Sequence, residues 1–328
     1  MKTAFIMDPA TRNMVINEKA VNYFRSLGEV AFNESSPDKE NVIKVIKGAD
    51  IAVTSWGNTA IDGEILASCP DLRFVAHAAG SVKPVVSDAL WDKGVRVLSS
   101  ACPLGEGVAE TALGFTISAS KNFYALNKSV KSGGWTQGKE NIRELFDLKI
   151  GVIGCGWAGK HYIKLLGAFY VDVFCYDPFV DAGTMRALGA EKCELEYLLK
   201  ECDIISVHAP SIPSTYHMIN RETLALMKKD AVLINTARGT IIDEAALYEH
   251  MAAGNLKYAC IDVFDPEPPA KDNPLLTLEN VIVTPHLAGL ANNGLKRIGT
   301  FVCEETAHFL AGSPVRGEVT REMLAKMA

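Results

Sequence analysis

Three short segments in the C-terminal half carry an arginine, a glutamate and a histidine, each following an apolar run that reads as a strand. They are Asn235-Thr236-Ala237-Arg238-Gly239, Asp262-Val263-Phe264-Asp265-Pro266-Glu267-Pro268 and Thr284-Pro285-His286-Leu287-Ala288-Gly289. A guanidinium grips a carboxylate through two parallel N–H donors and keeps its charge. An imidazole takes or gives a proton near neutrality, and a carboxylate beside it orients the ring and favours its charged form. Upstream, Val152-Ile153-Gly154-Cys155-Gly156-Trp157-Ala158-Gly159 offers a dinucleotide-binding loop. Together these are the requirements for moving a hydride between a nucleotide cofactor and an anionic hydroxy or keto acid. Singly, each has a plainer reading: Arg238 as a surface cation, Glu267 as a solvated side chain, His286 as a helix N-terminal residue. Their joint order after consecutive strands favours the site.

A G-x-G-x-x-G pattern alone is a weak signal, but this one follows the strand-like Ile150–Ile153 and opens a helical pattern from Lys160. Gly154, Gly156 and Gly159 allow the tight turn, the close backbone approach to a pyrophosphate and close helix packing, with Trp157 and Ala158 between them. The helix N-terminus favours the phosphate charge. The next strand, Val171–Tyr176, ends at Asp177, roughly twenty residues on, where an acid holds the ribose hydroxyls and repels a 2′-phosphate. The spacing predicts NAD rather than NADP. The plainer alternative is a glycine-rich turn with a solvent-facing aspartate.

These residues need elements to position them. Strand-like runs at Thr3–Met7, Ile51–Thr54, Phe74–His77 and Val95–Leu98 alternate with helical stretches such as Lys39–Gly48 and Ile61–Ala67. A second alternation has six runs: Lys149–Ile153, Val171–Tyr176, Ile204–His208, Ala231–Asn235, Tyr258–Val263 and Val281–Thr284. Such alternation signals βαβ units and parallel sheets. A helical pattern at Gly105–Gly133 predicts one long helix bridging two domains. The helical segment Leu290–Phe309 is too short for a third domain and is placed back on the first. The expectation is an α/β chain with two doubly wound domains, 105–287 binding the nucleotide and 1–104 plus 288–328 forming a discontinuous first domain.

At 328 residues the chain has room for about two domains, and 48% hydrophobic with 22% charged residues is ordinary for a globular protein. Net charge is −6 and no Lys/Arg run forms a continuous basic patch, which argues against nucleic acid as a partner. No uncharged apolar stretch is long enough to span a bilayer, and the N-terminal run is too short for a secretory signal. The eight cysteines form no CxxC pair and no metal-ligand cluster with histidine, so no metal is expected and a reduced, cytoplasmic setting follows.

From about Phe74 to Gly289 the chain resembles the D-isomer-specific 2-hydroxyacid dehydrogenases, which include D-lactate, glyoxylate/hydroxypyruvate and D-3-phosphoglycerate dehydrogenases. The resemblance rests on Val152–Gly159 with Asp177, and on Asp203–Pro210, Leu233–Asp243, Ala259–Pro268 and Val283–Gly289. It implies two α/β domains with the active site in the cleft between them: a Rossmann-type NAD-binding domain and a flavodoxin-like substrate domain. It also implies a homodimer joined through the nucleotide domains. Arg238 would then hold the substrate carboxylate and keto oxygen, His286 would be the general acid/base, and Glu267 would orient it and raise its pKa. His208, Ala209 and Pro210 would wall the adenine and ribose, with Thr215 on the phosphate side. Thr236 and Ala237 would pass under the nicotinamide ribose, and Asp262 would hold the carboxamide or, alternatively, cap a turn. Trp135 reads as structural.

The amides of Ala79, Gly80 and Ser81 would bind the substrate carboxylate. Here the chain departs from the family, whose loop is richer in glycine and carries aspartate where Lys83 stands. Lys83 reads as solvent-facing or paired with an acid rather than as a second anion contact, and His77 as a satisfied strand-end residue. The substrate side chain would meet loops near Trp56, His77–Lys83 and Cys102–Glu106, which do not name it. Two rivals are an NAD(H)-sensing, corepressor-like binding protein and a same-fold dehydrogenase of another small anion. Glu267 disfavours formate, whose enzymes carry glutamine there; phosphite stays open.

Overall fold

The computed structural model describes residues 1–327, and the chain forms two compact units. One comprises Met1–Leu104 and the stretch from Leu290 onward; the other is Gly105–Gly289. Strands of the first unit are β1 (Lys2–Phe5), β2 (Glu29–Phe32), β3 (Ile51–Thr54), β4 (Phe74–His77) and β5 (Arg96–Ser99). The second unit holds β6 (Lys149–Ile153), β7 (Asp172–Tyr176), β8 (Glu191–Lys192), β9 (Ile204–Val207), β10 (Val232–Asn235), β11 (Tyr258–Ile261) and β12 (Val281–Val283). A last strand, β13 (Glu318–Val319), returns to the first sheet.

The first sheet runs β13-β5-β4-β3-β1-β2, parallel except where β13 pairs antiparallel with β5. Its parallel part has the flavodoxin-like order. β3 and β4 are buried along their whole length, because helices cover both faces of the sheet and leave no polar side. The helix Asn292–Leu310 packs on this unit: a Cβ at Gly299 would come 2.8 Å from the Val15 carbonyl, and Phe309 stacks on Phe74 at 4.3 Å. Glu305, fully buried in that helix, accepts from Arg316 Nε at 2.6 Å.

The second sheet runs β12-β11-β10-β9-β6-β7-β8, all parallel. Strand order reverses between β6 and β9, the switch point beside which ligands bind in this architecture. Seven strands stand where six are expected. The extra one, β8, is a two-residue Glu-Lys edge with no apolar run to announce it. The short β2 and β13 are likewise edge strands, and the sequence pattern passes over both.

The single long helix expected over Gly105–Gly133 is corrected to two, Ala101–Ser120 and Phe123–Lys131. Asn122 sits between them in the left-handed region at φ 57°. Its Nδ2 donates to the Gly138 carbonyl, and its Oδ1 accepts from the Tyr258 hydroxyl at 2.7 Å. Those bonds stabilise a conformation that asparagine tolerates better than most residues. Among the described residues, no helix is long and apolar enough to cross a membrane.

Candidate active site

In the Gly105–Gly289 unit, β6 delivers the chain into the glycine loop. Gly154 takes φ +98°, and a Cβ there would lie 2.7 Å from the Ala209 nitrogen; a Cβ at Gly159 would lie 2.0 Å from the Gly154 carbonyl oxygen. Glycine is therefore demanded by conformation at one position and by close approach at the other. Gly156 precedes the helix Trp157–Leu166 without a side-chain cap, and space beside it is open. The first-turn N–H groups of Trp157, Ala158 and Gly159 are free of side-chain caps, as an anion site at a helix start requires.

Asp177 ends β7 beside this loop. Its Oδ2 accepts from the Cys155 N–H and its Oδ1 from the Phe179 N–H, both at 2.8 Å. Each oxygen keeps lone-pair capacity for a hydroxyl donor. His208 follows β9, with Nε2 at 2.9 Å from Ser206 Oγ and a buried Nδ1 that has no partner. Burial pushes this imidazole down to about 3, so it is neutral. The buried Thr236 hydroxyl, after β10, is also without a partner. Ala209 and Pro210 lie in the loop leaving β9. Thr215, expected on the phosphate side, donates its hydroxyl proton to the Pro210 carbonyl at 2.6 Å and so caps that loop. The uncapped helix start, the fixed acid and the two orphaned buried polar atoms fit a dinucleotide.

Arg238 is set by a residue the sequence reading passed over. Asn235, the last residue of β10, accepts from the Ala237 N–H and donates to the Arg238 carbonyl, both at 3.0 Å, closing the turn. Gly239 then lets the turn seat against the next loop: a Cβ there would lie 2.0 Å from the Phe264 carbonyl carbon. Arg238 Nη1 donates to the Ala237 carbonyl at 2.6 Å. Burial lowers the guanidinium pKa from its ordinary value, and the charge of Glu267 opposes that shift.

Glu267 Oε1 accepts from the Phe264 N–H at 3.0 Å, while Oε2 stands 2.6 Å from His286 Nδ1. With Nδ1 facing the carboxylate, Nε2 is the nitrogen left for a substrate. His286 adopts φ 49°, and its N–H donates to the Asp262 carbonyl at 2.8 Å. The buried Asp262 carboxylate accepts from Thr284 Oγ1 at 2.6 Å, the Leu287 N–H at 2.9 Å and the Ala288 N–H at 3.0 Å. Asp262 is thus the post around which the histidine turn is wound, the capping alternative, with one lone-pair direction on Oδ2 remaining. Arg238, Glu267 and His286 lie on loops leaving β10, β11 and β12, the C-terminal ends of adjacent strands.

In the Met1–Leu104 unit, Ala79, Gly80 and Ser81 form the turn after β4. His77 is buried, with Nδ1 at 2.8 Å from Thr54 Oγ1. Burial pushes its imidazole down to about 4. Lys83, expected in solvent or against an acid, is exposed, and it donates to the Met327 carbonyl at 2.6 Å.

Residues 113–288 match the family model of the D-isomer specific 2-hydroxyacid dehydrogenase NAD-binding domain. D-3-phosphoglycerate dehydrogenase of Methanocaldococcus jannaschii is 35% identical over 90% of the chain, which spans only 56% of that protein's length. Hydroxypyruvate reductase of Thermotoga maritima is 31% identical over 89% of the chain and 95% of its own length. A solved structure of D-lactate dehydrogenase with NAD+ from Lactobacillus jensenii shares the fold, with a TM-score of 0.80 at 24% identity over 98% of this chain and all of that one. The Gly105–Gly289 unit is a Rossmann-type NAD-binding domain, and the chain belongs to the D-isomer specific 2-hydroxyacid dehydrogenase family.

Proposed function

We propose that the protein is an NAD-dependent oxidoreductase that interconverts a D-2-hydroxy acid and its 2-keto acid. The observation that carries this reading is the 2.6 Å contact between Glu267 Oε2 and His286 Nδ1, with Arg238 on the adjacent strand-end loop. NAD, held by the Gly154–Gly159 loop and Asp177, supplies the hydride acceptor or donor. In reduction, Nε2–H of protonated His286 gives its proton to the keto oxygen as C2 gains the hydride. In oxidation, neutral Nε2 takes the hydroxyl proton as C2 loses the hydride. Glu267 holds the Nδ1–H, fixes the ring and stabilises the imidazolium. Arg238 holds the substrate carboxylate and polarises the keto oxygen. Ala79, Gly80 and Ser81 supply further donors to the carboxylate. Thr236 and Ala237 bound the nicotinamide ribose, and His208, Ala209 and Pro210 the adenosine.

The protein assembles as a homodimer through the NAD-binding domains in this reading, which is supported by apolar side chains left in the open between Phe123 and Phe146, among them Trp135, 72% exposed. The eight cysteines, none of them in a disulfide, suit a reducing compartment such as the cytoplasm. A panel of 2-keto acids with NADH, followed by loss of NADH absorbance, tests the activity. Turnover is expected with at least one acid, and His286→Asn is expected to lower kcat by about 10²–10⁴-fold while NADH still binds. NADH binding without turnover on any acid would overturn the reading.

A further inference from the structure

The turn after β4 has an unusual set of supports. The Ala78 carbonyl accepts from Ser55 Oγ at 2.8 Å, the Ala79 carbonyl from the Ser100 N–H at 2.9 Å and the Gly80 carbonyl from Ser99 Oγ at 2.5 Å. At either end, the His77 carbonyl accepts from Ser100 Oγ at 2.8 Å, and the His77 imidazole bonds the Ser81 backbone. Thr54 completes the frame: its carbonyl accepts from the Ala78 N–H at 2.7 Å and its hydroxyl faces His77 Nδ1. Ser55, His77, Ser99 and Ser100 are all buried.

In a planar trans peptide, the carbonyl of one residue and the N–H of the next point in opposite directions. Fixing the carbonyls of Ala78, Ala79 and Gly80 therefore fixes the N–H groups of Ala79, Gly80 and Ser81, each facing away from the serine that holds the carbonyl of its own peptide. Among the described residues, the Ala79 and Gly80 N–H groups have no acceptor, and Ala79 is fully buried. Buried N–H groups without a partner are rare because they forfeit water without replacing it. Here the loss is imposed by neighbours that secure every adjoining carbonyl. A carboxylate set against the turn would supply the missing acceptor, and would find donors already aimed.

We propose that Ser55, His77 and Ser99 are positioning residues, which hold the Ala78–Ser81 turn so that its amides form a preorganised grip for the carboxylate of a 2-keto acid. The proposal rests on the activity proposed above. None of these three side chains touches the reacting atoms; they act through the backbone of the turn.

The test uses Ser55→Ala and Ser99→Ala in the full chain, singly and together, with His77→Leu against His77→Gln, which keeps a side-chain N–H. Four quantities are read: KM and kcat for the best 2-keto acid, the Kd of NADH, and the Kd of oxamate, a 2-keto acid analogue, on the enzyme–NADH complex. Each serine variant is expected to raise KM and the oxamate Kd about tenfold (about 1.4 kcal/mol) with kcat and the NADH Kd little changed. His77→Leu follows them, and His77→Gln recovers part of the loss. A wild-type enzyme that turns over 2-keto acids while both serine variants keep KM and oxamate affinity within twofold overturns the proposal alone. Wild type that neither turns over 2-keto acids nor binds oxamate overturns the activity and this inference together. Serine variants that lose their folded circular dichroism assign the hydroxyls to the fold rather than to the grip, and also overturn it.

Discussion

At the residue scale, the site is built by side chains that grip backbone and thereby aim other side chains. Asn235 closes the turn that carries Arg238, and Asp262 winds the turn that carries His286. Asp177 clamps the glycine loop through the Cys155 N–H while keeping room for hydroxyl donors. Its fixed charge gives a direct prediction for cofactor choice. Asp177→Ser should lower kcat/KM for NADH at least tenfold and raise it for NADPH, because a 2′-phosphate then meets a hydroxyl instead of an anion. Steady-state kinetics with both cofactors decide it, and an unchanged ratio would remove Asp177 from cofactor selection. Arg238, Glu267 and His286 could be proposed from the sequence because their chemistry is distinctive. Asn235, Ser55 and Ser99 were not, since a strand-end asparagine or serine becomes meaningful only when its hydrogen-bond partner is known. Lys83 is exposed as expected, but its bond to a main-chain carbonyl far along the chain leaves no mark on the sequence around the lysine.

At the scale of elements, buried strands announced themselves and edges did not. Ile51–Thr54, Phe74–His77 and Ile204–Val207 are continuous apolar runs or nearly so, as both covered faces require. Glu29–Phe32, Glu191–Lys192 and Glu318–Val319 lie at or beside sheet edges, where a mixed composition suffices. The break at Asn122 was hidden because asparagine also occurs inside helices; its partners on Gly138 and Tyr258 are tertiary. Two strand ends carry buried histidines, and they set a pH dependence. His77 is pushed down to about 4 and His208 to about 3, against an ordinary value of 6.5. Below pH 6.5 the unfolded chain takes protons on these rings that the folded chain refuses, so stability falls with pH. The contribution is intact above pH 6.5, is lost progressively toward about pH 4 for His77 and about pH 3 for His208, and is on the order of 3–5 kcal/mol for each ring. The melting temperature should therefore drop across that window, and His77→Gln should flatten the slope. An equal slope in wild type and variant would refute the part assigned to His77.

At the scale of the whole molecule, the sequence pattern already implied two doubly wound sheets and a first unit assembled from both ends of the chain. The Gly105–Gly289 unit leaves Phe123, Trp135 and Phe146 in the open, and burial in a second copy is the proposed reason. Trp135→Asp combined with Phe146→Asp should shift sedimentation from a dimer to a monomer while the folded circular dichroism persists. Wild-type protein sedimenting as a monomer at micromolar concentration would discard the assembly.

The Asn292–Leu310 helix belongs to the unit that begins at Met1, yet it is encoded after the whole of Gly105–Gly289. On the ribosome, the inserted domain is therefore complete before its host. Until that helix emerges, the seat it occupies on Val15 and Phe74 stays open, and β5 lacks the β13 strand that closes its edge. The nascent first unit spends that interval as a half-covered sheet, the period in which a chaperone has most to bind.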